Sequence, residues 1–544
     1  MSVKVDFAAG SAGEQAAFAR ALERLLAAKF ASRLAAQDNT LWGPEAEAEA
    51  AIRLGWVDFA GHARETLSRA ISVREELRTT GVREIVLCGM GGSSLAPELI
   101  CAHERLPFTS LDSTHPDQIR ETVGRDLSRV AVVVSSKSGT TVETTSHLDS
   151  FIAAFEAQGI DPTERIILVT DPGSAMDERA AKEGFRVFHG DPNVGGRFSA
   201  LTAFGIVPSG LAGVDFEPIL DGAQAAREQV SHDHANNPAL ILAAALFAGL
   251  PQKYVAFVGS RTLEFAGFGL WVEQLIAESS GKYGTGVLPI ALPLEAPELQ
   301  AEQLPANSMR VWVTDAADTR PAAELTVRAD LGAQLFVWEA ATAALGFLLG
   351  TNPFDQPDVE SAKVAARAQL LQTAPVAQNS ANDAADTPEI KVLTPENASN
   401  DPAEAFAAFE SQLRKNAEET SPIPYVAVQV YAARTPQSEF TLELLRADLA
   451  ERFGCPVTAS FGPRYLHSTG QFHKGGTPAG HFLQIFVPPK ADQMLDTPGV
   501  SHSYGDLVLA QMRGDGEVLA EHGRPLLAFQ ARSLTGFATA VARF

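Results

Sequence analysis

The chain has 544 residues, 45% hydrophobic and 20% charged, and is therefore long enough for two or more domains with ordinary globular cores. Its formal net charge of −23, from 66 acidic and 43 basic side chains, argues against nucleic-acid binding and requires any bound phosphate to be held by a local group of donors. The three cysteines match no zinc or redox spacing, and neither a leader peptide nor a stretch of about 20 apolar residues occurs, which predicts a soluble, cytoplasmic protein without membrane contacts.

The first 80 residues predict a helical N-terminal segment, with amphipathic helices over 14–36 and 47–77. From residue 81 the pattern changes to short apolar runs, at 84–88, 130–135 and 166–169, each followed by a turn and a helical stretch. Runs that are apolar on both faces are typical of buried parallel strands. We therefore expect a layered α/β domain over 81–235.

A polar stretch at 232–238 marks the expected boundary to a second α/β domain, which we place at 236–544. The alternation of strand and helix resumes in that domain, and the predicted strands are at 254–258, 310–314, 334–338, 427–431 and 482–487. Residues 372–403 are rich in Ala, Asn, Asp, Pro and Thr, so we expect an inserted flexible surface segment there.

Two strand-to-helix junctions of the first domain carry the same chemistry. Gly-Met-Gly-Gly-Ser-Ser follows the strand at 84–88, and Ser-Ser-Lys-Ser-Gly-Thr-Thr begins at the end of the strand at 130–135. Glycines let the backbone approach an anion closely, and a helix N-terminus offers unpaired N–H groups. Because both junctions lie at the carboxyl edge of a parallel sheet, they predict a shared phosphate cradle. Its expected members are Gly92, Ser93, Ser136, Lys137, Ser138 and Thr141.

The form of this cradle excludes two common cofactor sites. A Gly-x-Gly-x-x-Gly fingerprint would need glycine at position 94, where serine stands, and no GxxxxGK[ST] run occurs. A hydroxyl-rich cradle without metal ligands suits a monophosphate, and we expect no cofactor and no metal.

The two junction motifs resemble the sugar-isomerase domain, a flavodoxin-like module that binds phosphosugars. Three further motifs resemble the phosphoglucose isomerase family: Val-Gly-Gly-Arg-Phe-Ser at 194–199, Glu-Ser-Ser-Gly-Lys at 278–282, and Asn-Pro-Phe-Asp-Gln-Pro-Asp-Val-Glu at 352–360. The resemblance implies two sugar-isomerase domains, each a three-layer αβα sandwich with a parallel sheet. It also implies isomerisation of glucose 6-phosphate to fructose 6-phosphate by a homodimer that needs no cofactor.

The resemblance assigns the transfer of a proton between the sugar carbons C1 and C2 to Glu278. A carboxylate in a closed pocket is a better base near neutrality than one in water. Gln274 lies one helical turn earlier on the same face and matches a family position that contacts substrate. Arg197 stays charged at all relevant pH values, so it can stabilise the developing enediolate.

The family opens the sugar ring with a histidine in a His-Gln-Gly-Thr motif that is contributed across the dimer interface. We align His473, followed by Lys474, with that histidine, and His467 is the alternative. The family also carries a lysine in Gly-Val-Glu-Leu-Gly-Lys near its C-terminus, but the last forty residues of this chain contain no lysine. Lys474 is our candidate for the missing positive charge. The tail resembles the isomerase half of transaldolase–phosphoglucose isomerase fusions.

Three alternatives stay open at this point. The enzyme could also accept mannose 6-phosphate, because both sugars pass through the same enediol. A sugar-phosphate sensor would keep the cradle without a catalytic base, and the presence of Glu278 and Arg197 argues against it. A metal-dependent isomerase could use His232 and His234, but no further ligand stands at a telling spacing, so we expect linker residues there.

Overall fold

A computed structural model describes residues 3–320, 324–359, 361, 365–366, 370, 389–393, 399–419, 422–490 and 495–544. The strands are β1 (Lys4–Phe7), β2 (Glu84–Gly89), β3 (Thr109–Leu111), β4 (Val130–Ser135), β5 (Ile166–Thr170), β6 (Arg186–His189), β7 (Val255–Ser260), β8 (Leu288–Leu292), β9 (Ser308–Thr314), β10 (Leu325–Arg328), β11 (Ile390–Val392), β12 (Tyr425–Tyr431), β13 (Val457–Phe461), β14 (Gly480–Phe486) and β15 (Leu526–Ala531).

The α-helices cover most of the remaining described chain. They are α1 (Ala12–Ala27), α2 (Phe30–Ala35), α3 (Glu47–Ala50), α4 (Ala60–Thr79), α5 (Leu95–His103), α6 (Pro116–Val123), α7 (Val142–Ala157), α8 (Ala175–Glu183), α9 (Ala203–Ala212), α10 (Glu217–Val230), α11 (Pro238–Ala248), α12 (Phe268–Ser280), α13 (Pro297–Gln300), α14 (Leu331–Leu349), α15 (Pro402–Glu419), α16 (Pro436–Phe453), α17 (Gly470–Gly475), α18 (Tyr504–Glu521) and α19 (Leu534–Val541).

The chain divides into two compact units. The first comprises residues 1–112, 126–304 and 308–356, and the second comprises 113–125, 305–307 and 357–544. The first unit contains two five-stranded sheets, in the orders β3-β2-β4-β5-β6 and β1-β10-β9-β7-β8. All neighbouring strands are parallel except β1, which pairs antiparallel with β10. The α/β fold class with parallel sheets is therefore confirmed.

The predicted strands of the first sheet are confirmed to within one residue. Every residue of β4 is buried, as expected for a central strand of a parallel sheet with helices on both faces. Helices α1 to α4 lie within the first 80 residues. They are shorter than expected, and the unpredicted strand β1 precedes them. The polar stretch at 232–238 connects α10 to α11 inside the first unit. The division of the chain into two units therefore does not fall at the domain boundary that we expected there.

The prediction of a strand at 334–338 is wrong, because these residues belong to helix α14. Asp330 caps the helix by accepting a hydrogen bond from the backbone N–H of Ala333 at 2.9 Å. Seventeen of the helix's 19 residues are buried, so its sequence is apolar all round and carries no helical periodicity. This helix has the length and composition of a membrane span, but 94% of its apolar window is buried inside the protein. A core position accounts for that composition.

The described residues of the second unit form one five-stranded sheet in the order β11-β15-β14-β12-β13, in which only β11 is antiparallel. The expected single domain over 236–544 thus contains strands of two different sheets. The prediction of an inserted surface segment at 372–403 falls largely outside the described residues. Within it, Ile390–Val392 forms the edge strand β11 and pairs with β15, so this part belongs to the sheet.

Candidate active site

The first glycine-rich junction follows β2 as a short 3₁₀ turn, Gly91–Ser93. Gly91 has a φ of 55°, which favours glycine. Gly92 packs against the loop that carries Arg197, since a Cβ atom added to Gly92 would lie 2.0 Å from the carbonyl oxygen of Gly196. The two loops are therefore in direct backbone contact, and only glycine permits that approach.

The second junction lies between β4 and α7, on the strand next to β2. Ser136 is buried, and its hydroxyl donates to the Thr141 hydroxyl at 3.2 Å. The Ser138 hydroxyl is exposed and lies 3.0 Å from that of Thr140. Lys137 donates to the Asp171 carboxylate and, at 3.2 Å, to the carbonyl oxygen of Asp191. The lysine ammonium thus already has acidic and carbonyl partners.

The helices that follow the two junctions both lack a side-chain cap at their N-termini. Ser94 precedes α5 and Thr141 precedes α7, yet neither side chain accepts a hydrogen bond from its own helix. By contrast, Ser174 and Asn237 cap α8 and α11 in the usual way. The first-turn N–H groups of α5 and α7 are consequently left without a side-chain cap and can serve an anion.

We expect Gly92→Ala to disrupt this part of the site. The added methyl would force the Gly91–Ser93 turn away from the Gly196 carbonyl and should lower the free energy of unfolding by about 1–3 kcal/mol. It should also raise KM for a phosphosugar. Gly61→Ala is the matched control, because Gly61 is an exposed helical residue with nothing within 4 Å of an added Cβ. Denaturant unfolding and steady-state kinetics of both variants check this, and an unchanged Gly92→Ala protein would contradict the contact.

Glu278 lies in the last turn of α12, where the structure brings it together with two other predicted site residues, Arg197 and Gln274. Its carboxylate Oε1 is 3.4 Å from Nη1 of Arg197. Its Oε2 accepts a hydrogen bond from the amide of Gln274 at 3.0 Å. The Gln274 carbonyl oxygen is buried and has no hydrogen-bond partner among the described residues. A carboxylate, a guanidinium and a side-chain amide therefore lie within contact distance of one another, and their catalytic roles stay predictions.

Arg197 is 5% exposed and is held by protein groups on several sides. Its Nε donates to the Ser279 hydroxyl at 2.8 Å, and its Nη2 donates to the carbonyl oxygens of Pro353 and Asp355 at 2.6 and 2.9 Å. The Gln356 side-chain oxygen accepts from Nη1 at 3.0 Å. Burial lowers the pKa of the guanidinium, while Glu278 opposes that shift. All three sequence motifs meet at this side chain.

Lys282, in the 278–282 motif, is a residue to which we assigned no role from the sequence. Its ammonium is fully buried and donates to the Asp355 carboxylate at 2.6 Å and to the carbonyl oxygen of Asn352. Burial and, to a smaller extent, the positive charge of Arg197 lower the pKa of Lys282 to about 8. The motif itself was recognisable, but its contact with residues 70 positions later in the chain could not be read from spacing.

The histidine predicted to open the ring, His473, belongs to the second unit. It is 2% exposed, and its Nδ1 lies 2.9 Å from the Tyr425 hydroxyl. Burial, together with the charges of Lys474 and Arg524, lowers its pKa well below the ordinary value. These surroundings suit a neutral core histidine. The ring-opening roles of His473 and of the half-buried alternative, His467, stay predictions.

Lys474, the candidate for the missing positive charge, is also buried in the second unit. Its ammonium is 2.6 Å from the Asp515 carboxylate, and the two side chains are 1% and 0% exposed. The Tyr465 hydroxyl donates to the other oxygen of Asp515 at 2.6 Å. The charge of Lys474 is thus balanced inside its own unit, and its substrate contact stays a prediction.

The lysine pattern sought near the C-terminus has a counterpart elsewhere in the chain. Residues 358–363 read Asp-Val-Glu-Ser-Ala-Lys, with valine, glutamate and lysine at the same spacing as in Gly-Val-Glu-Leu-Gly-Lys. This run directly follows the Asn-Pro-Phe-Asp-Gln motif. Lys363 lies outside the described residues. The absence of lysine from the last forty residues therefore does not mean that the pattern is missing from the chain.

The histidines considered as metal ligands lie apart from the site. His232 Nδ1 contacts the carbonyl oxygen of Glu228 at 3.0 Å, and His234 Nδ1 accepts from the backbone N–H of Asn236 at 3.1 Å. Within the described part of the chain, no group of three or more His, Cys, Asp or Glu side chains is arranged to hold a metal ion. Both histidines thus make local contacts between α10 and α11.

Solved structures share this α/β architecture. A structure of a hypothetical protein from Thermus thermophilus has a TM-score of 0.57 and 26% identity, and the match covers 68% of this chain and all of that one. A glucose-6-phosphate isomerase from Chlamydia trachomatis has a TM-score of 0.52 at 20% identity, and the match covers 64% of this chain and 85% of that one. The fold thus defines an α/β protein of the class that includes the Chlamydia isomerase.

Sequence relatives specify the family. The sequence model of the phosphoglucose isomerase family matches residues 65–286. A probable glucose-6-phosphate isomerase from Haloarcula marismortui is 30% identical over 343 residues, which are 53% of this chain and 78% of the relative. A glucose-6-phosphate isomerase from Fusobacterium nucleatum is 27% identical over 388 residues, covering 57% of this chain and 85% of the relative. The chain belongs to the phosphoglucose isomerase family.

Proposed function

We propose that this protein interconverts glucose 6-phosphate and fructose 6-phosphate. The observation that carries the proposal is the 3.4 Å pairing of Glu278 with Arg197. Arg197 lies on a loop whose backbone contacts the turn at Gly92. A carboxylate, a fixed cation and an anion-binding turn are the three parts that an aldose–ketose isomerase needs. The curated relatives carry the same activity in their names.

In the proposed reaction the cradle holds the phosphoryl group and leaves the open-chain sugar with C1 and C2 beside Glu278. The carboxylate takes the proton from C2 of the aldose, and the C1 oxygen becomes the enediolate oxygen. The proton of the C2 hydroxyl then moves to the C1 oxygen, so that C2 becomes the carbonyl carbon, and the same carboxyl group returns its proton to C1 of the ketose. Arg197 stabilises the negative oxygen without giving up a proton. Gln274 holds Glu278 and offers its carbonyl oxygen to a sugar hydroxyl.

Turnover of fructose 6-phosphate, coupled to oxidation of the glucose 6-phosphate formed, tests this proposal. We expect robust turnover by the purified protein, and we expect it to survive a strong chelator because the proposed chemistry uses no metal. Mannose 6-phosphate in the same assay measures how selective the enzyme is at C2. A protein that binds fructose 6-phosphate but never converts it would instead be a sensor.

The identity of the group that opens the ring can be tested separately. We expect His473→Gln to lower the free energy of unfolding by about 1–3 kcal/mol, because it disturbs a buried histidine that contacts Tyr425. If His473 also opens the ring, this variant loses turnover on the cyclic sugar but still exchanges the C1 and C2 protons of the small open-chain fraction. His467→Gln is the parallel variant, and retention of ring opening in both would reject the two histidines together.

We further infer a cytoplasmic homodimer, as the family resemblance implies. The three cysteines are buried and unpaired, and burial raises the pKa of Cys101 and of Cys455 to about 12, so both thiols stay protonated. Such cysteines suit a reducing compartment. Sedimentation of the purified protein would measure the mass, which should be twice the 57.8 kDa of one chain.

A further inference from the structure

We propose that Lys282 is a positioning residue of the active site, which anchors the Asn352–Gln356 turn so that the turn can hold Arg197 beside Glu278. This inference rests on the proposed isomerase function and goes beyond the roles of the base and the cation. Lys282 does not have to contact substrate, since it acts through the turn. The evidence is a continuous chain of short contacts inside the first unit.

The first contact joins the lysine to the turn. The Lys282 ammonium donates to the carbonyl oxygen of Asn352 at the start of the turn and to the Asp355 carboxylate in its middle. The side chain is 0% exposed, so water cannot replace either partner. An ammonium removed from water in this way is costly unless protein oxygens surround it, which ties the turn to one position.

The second contact joins the turn to the arginine. Arg197 uses Nη2 to bind the carbonyl oxygens of Pro353 and Asp355, and Nη1 to bind the side chain of Gln356. The planar fork of the guanidinium accepts only a narrow range of oxygen positions. A shift of the turn would therefore rotate Arg197 and change its 3.4 Å separation from Glu278.

The charges around Lys282 make the arrangement dependent on pH. The charged groups that face it are Arg197, Asp355 and Glu278. Together with Lys282 itself they form a cluster of two positive and two negative charges. Lys282 has a pKa of about 8, lowered chiefly by burial, whereas the Asp355 carboxylate raises it. Below this pKa the ammonium carries its charge and holds the turn. As the pH rises through the pKa the charge is lost, and we expect activity to fall on this alkaline limb.

Lys282→Met tests the proposal, with Lys253→Met as the matched control. Lys253 also forms a 2.6 Å ion pair, with Glu14, but it is partly exposed and joins the α11–β7 loop to helix α1. We expect Lys282→Met to lower kcat about 10²-fold by misplacing Arg197, to leave KM within about threefold, and to lose the alkaline limb. Lys253→Met should match the wild type. A crystal structure of Lys282→Met should show the turn displaced from Arg197.

Asp355→Asn is the second variant and serves if Lys282→Met does not fold. Removing this carboxylate takes away a group that raises the pKa of Lys282, so the alkaline limb should move to lower pH. A merely structural role would not shift the limb. Unchanged pH profiles in both variants would overturn the positioning role while leaving the isomerase function intact. An inactive wild type would instead reject the function, and the Lys282→Met structure would still decide whether the turn depends on the lysine.

Discussion

Glu278→Gln should lower kcat by about 10³-fold, because the amide keeps the shape of the side chain but cannot accept a proton from carbon. The Gln274 amide that now donates to Glu278 Oε2 can still donate to the new carbonyl oxygen, so the local structure should survive. KM should change little, since the substitution does not alter the proposed phosphate cradle. The coupled assay measures kcat, and loss of deuterium from C2 of labelled substrate reports the proton transfer directly.

Glu273→Gln is the matched control for this variant. Glu273 lies on the same helix and is buried, but its carboxylate accepts a hydrogen bond from the backbone N–H of Ala291 at 2.8 Å. An amide oxygen can accept the same bond, so turnover should be retained. Equal activities for the two variants would remove Glu278 from the proposed mechanism.

Arg197→Ala is expected to lower kcat several hundredfold, because a fixed donor for a developing oxyanion contributes about 3–4 kcal/mol to transition-state stabilisation. The same change leaves the Pro353 and Asp355 carbonyl oxygens without their donor. The free energy of unfolding should therefore fall as well, by about 3 kcal/mol. Kinetics should be measured at a temperature where circular dichroism shows the variant to be folded.

Two further variants separate catalysis from stability. Arg165 is also buried and hydrogen-bonds to Thr80, so Arg165→Ala should lose stability while keeping turnover. Arg197→Lys keeps a positive charge but loses the planar fork, and we expect it to recover only part of the lost rate. Near-normal kcat in folded Arg197→Ala protein would refute the oxyanion role.

Local order was largely predictable from the sequence, whereas the choice of sheet was not. The runs at 84–88 and 130–135 were recognised because each is short, apolar and ended by a polar or glycine-rich turn. The run at 334–338 looks the same over five residues, and the Asp330 cap that makes it helical lies outside that window. Strand pairing depends on long-range packing. The local sequence pattern therefore does not show that the strands of the second unit form a separate sheet.

The site shows the same division between motif and geometry. Glu278, Gln274 and Arg197 could be predicted from the sequence, because their motifs resemble those of a known family and because residues four apart share a helix face. The partners of Arg197 come from a turn more than 150 positions later, and no spacing rule predicts such a contact. His473 was chosen by aligning motifs without knowledge of its burial, and the structure describes a residue packed among aromatic rings.

The backbone contact between Gly92 and Gly196 has a consequence for how the enzyme chooses its substrates. In the proposed binding mode, the phosphoryl group is held by a loop whose backbone contacts the loop that carries Arg197, so we expect the affinity for one end of the sugar and the reactivity at the other end to be coupled. A hexose without a phosphoryl group would lie beside Glu278 and Arg197 without contacting the first loop. Discrimination against unphosphorylated sugars should therefore be expressed in the rate of each turnover as much as in the strength of binding.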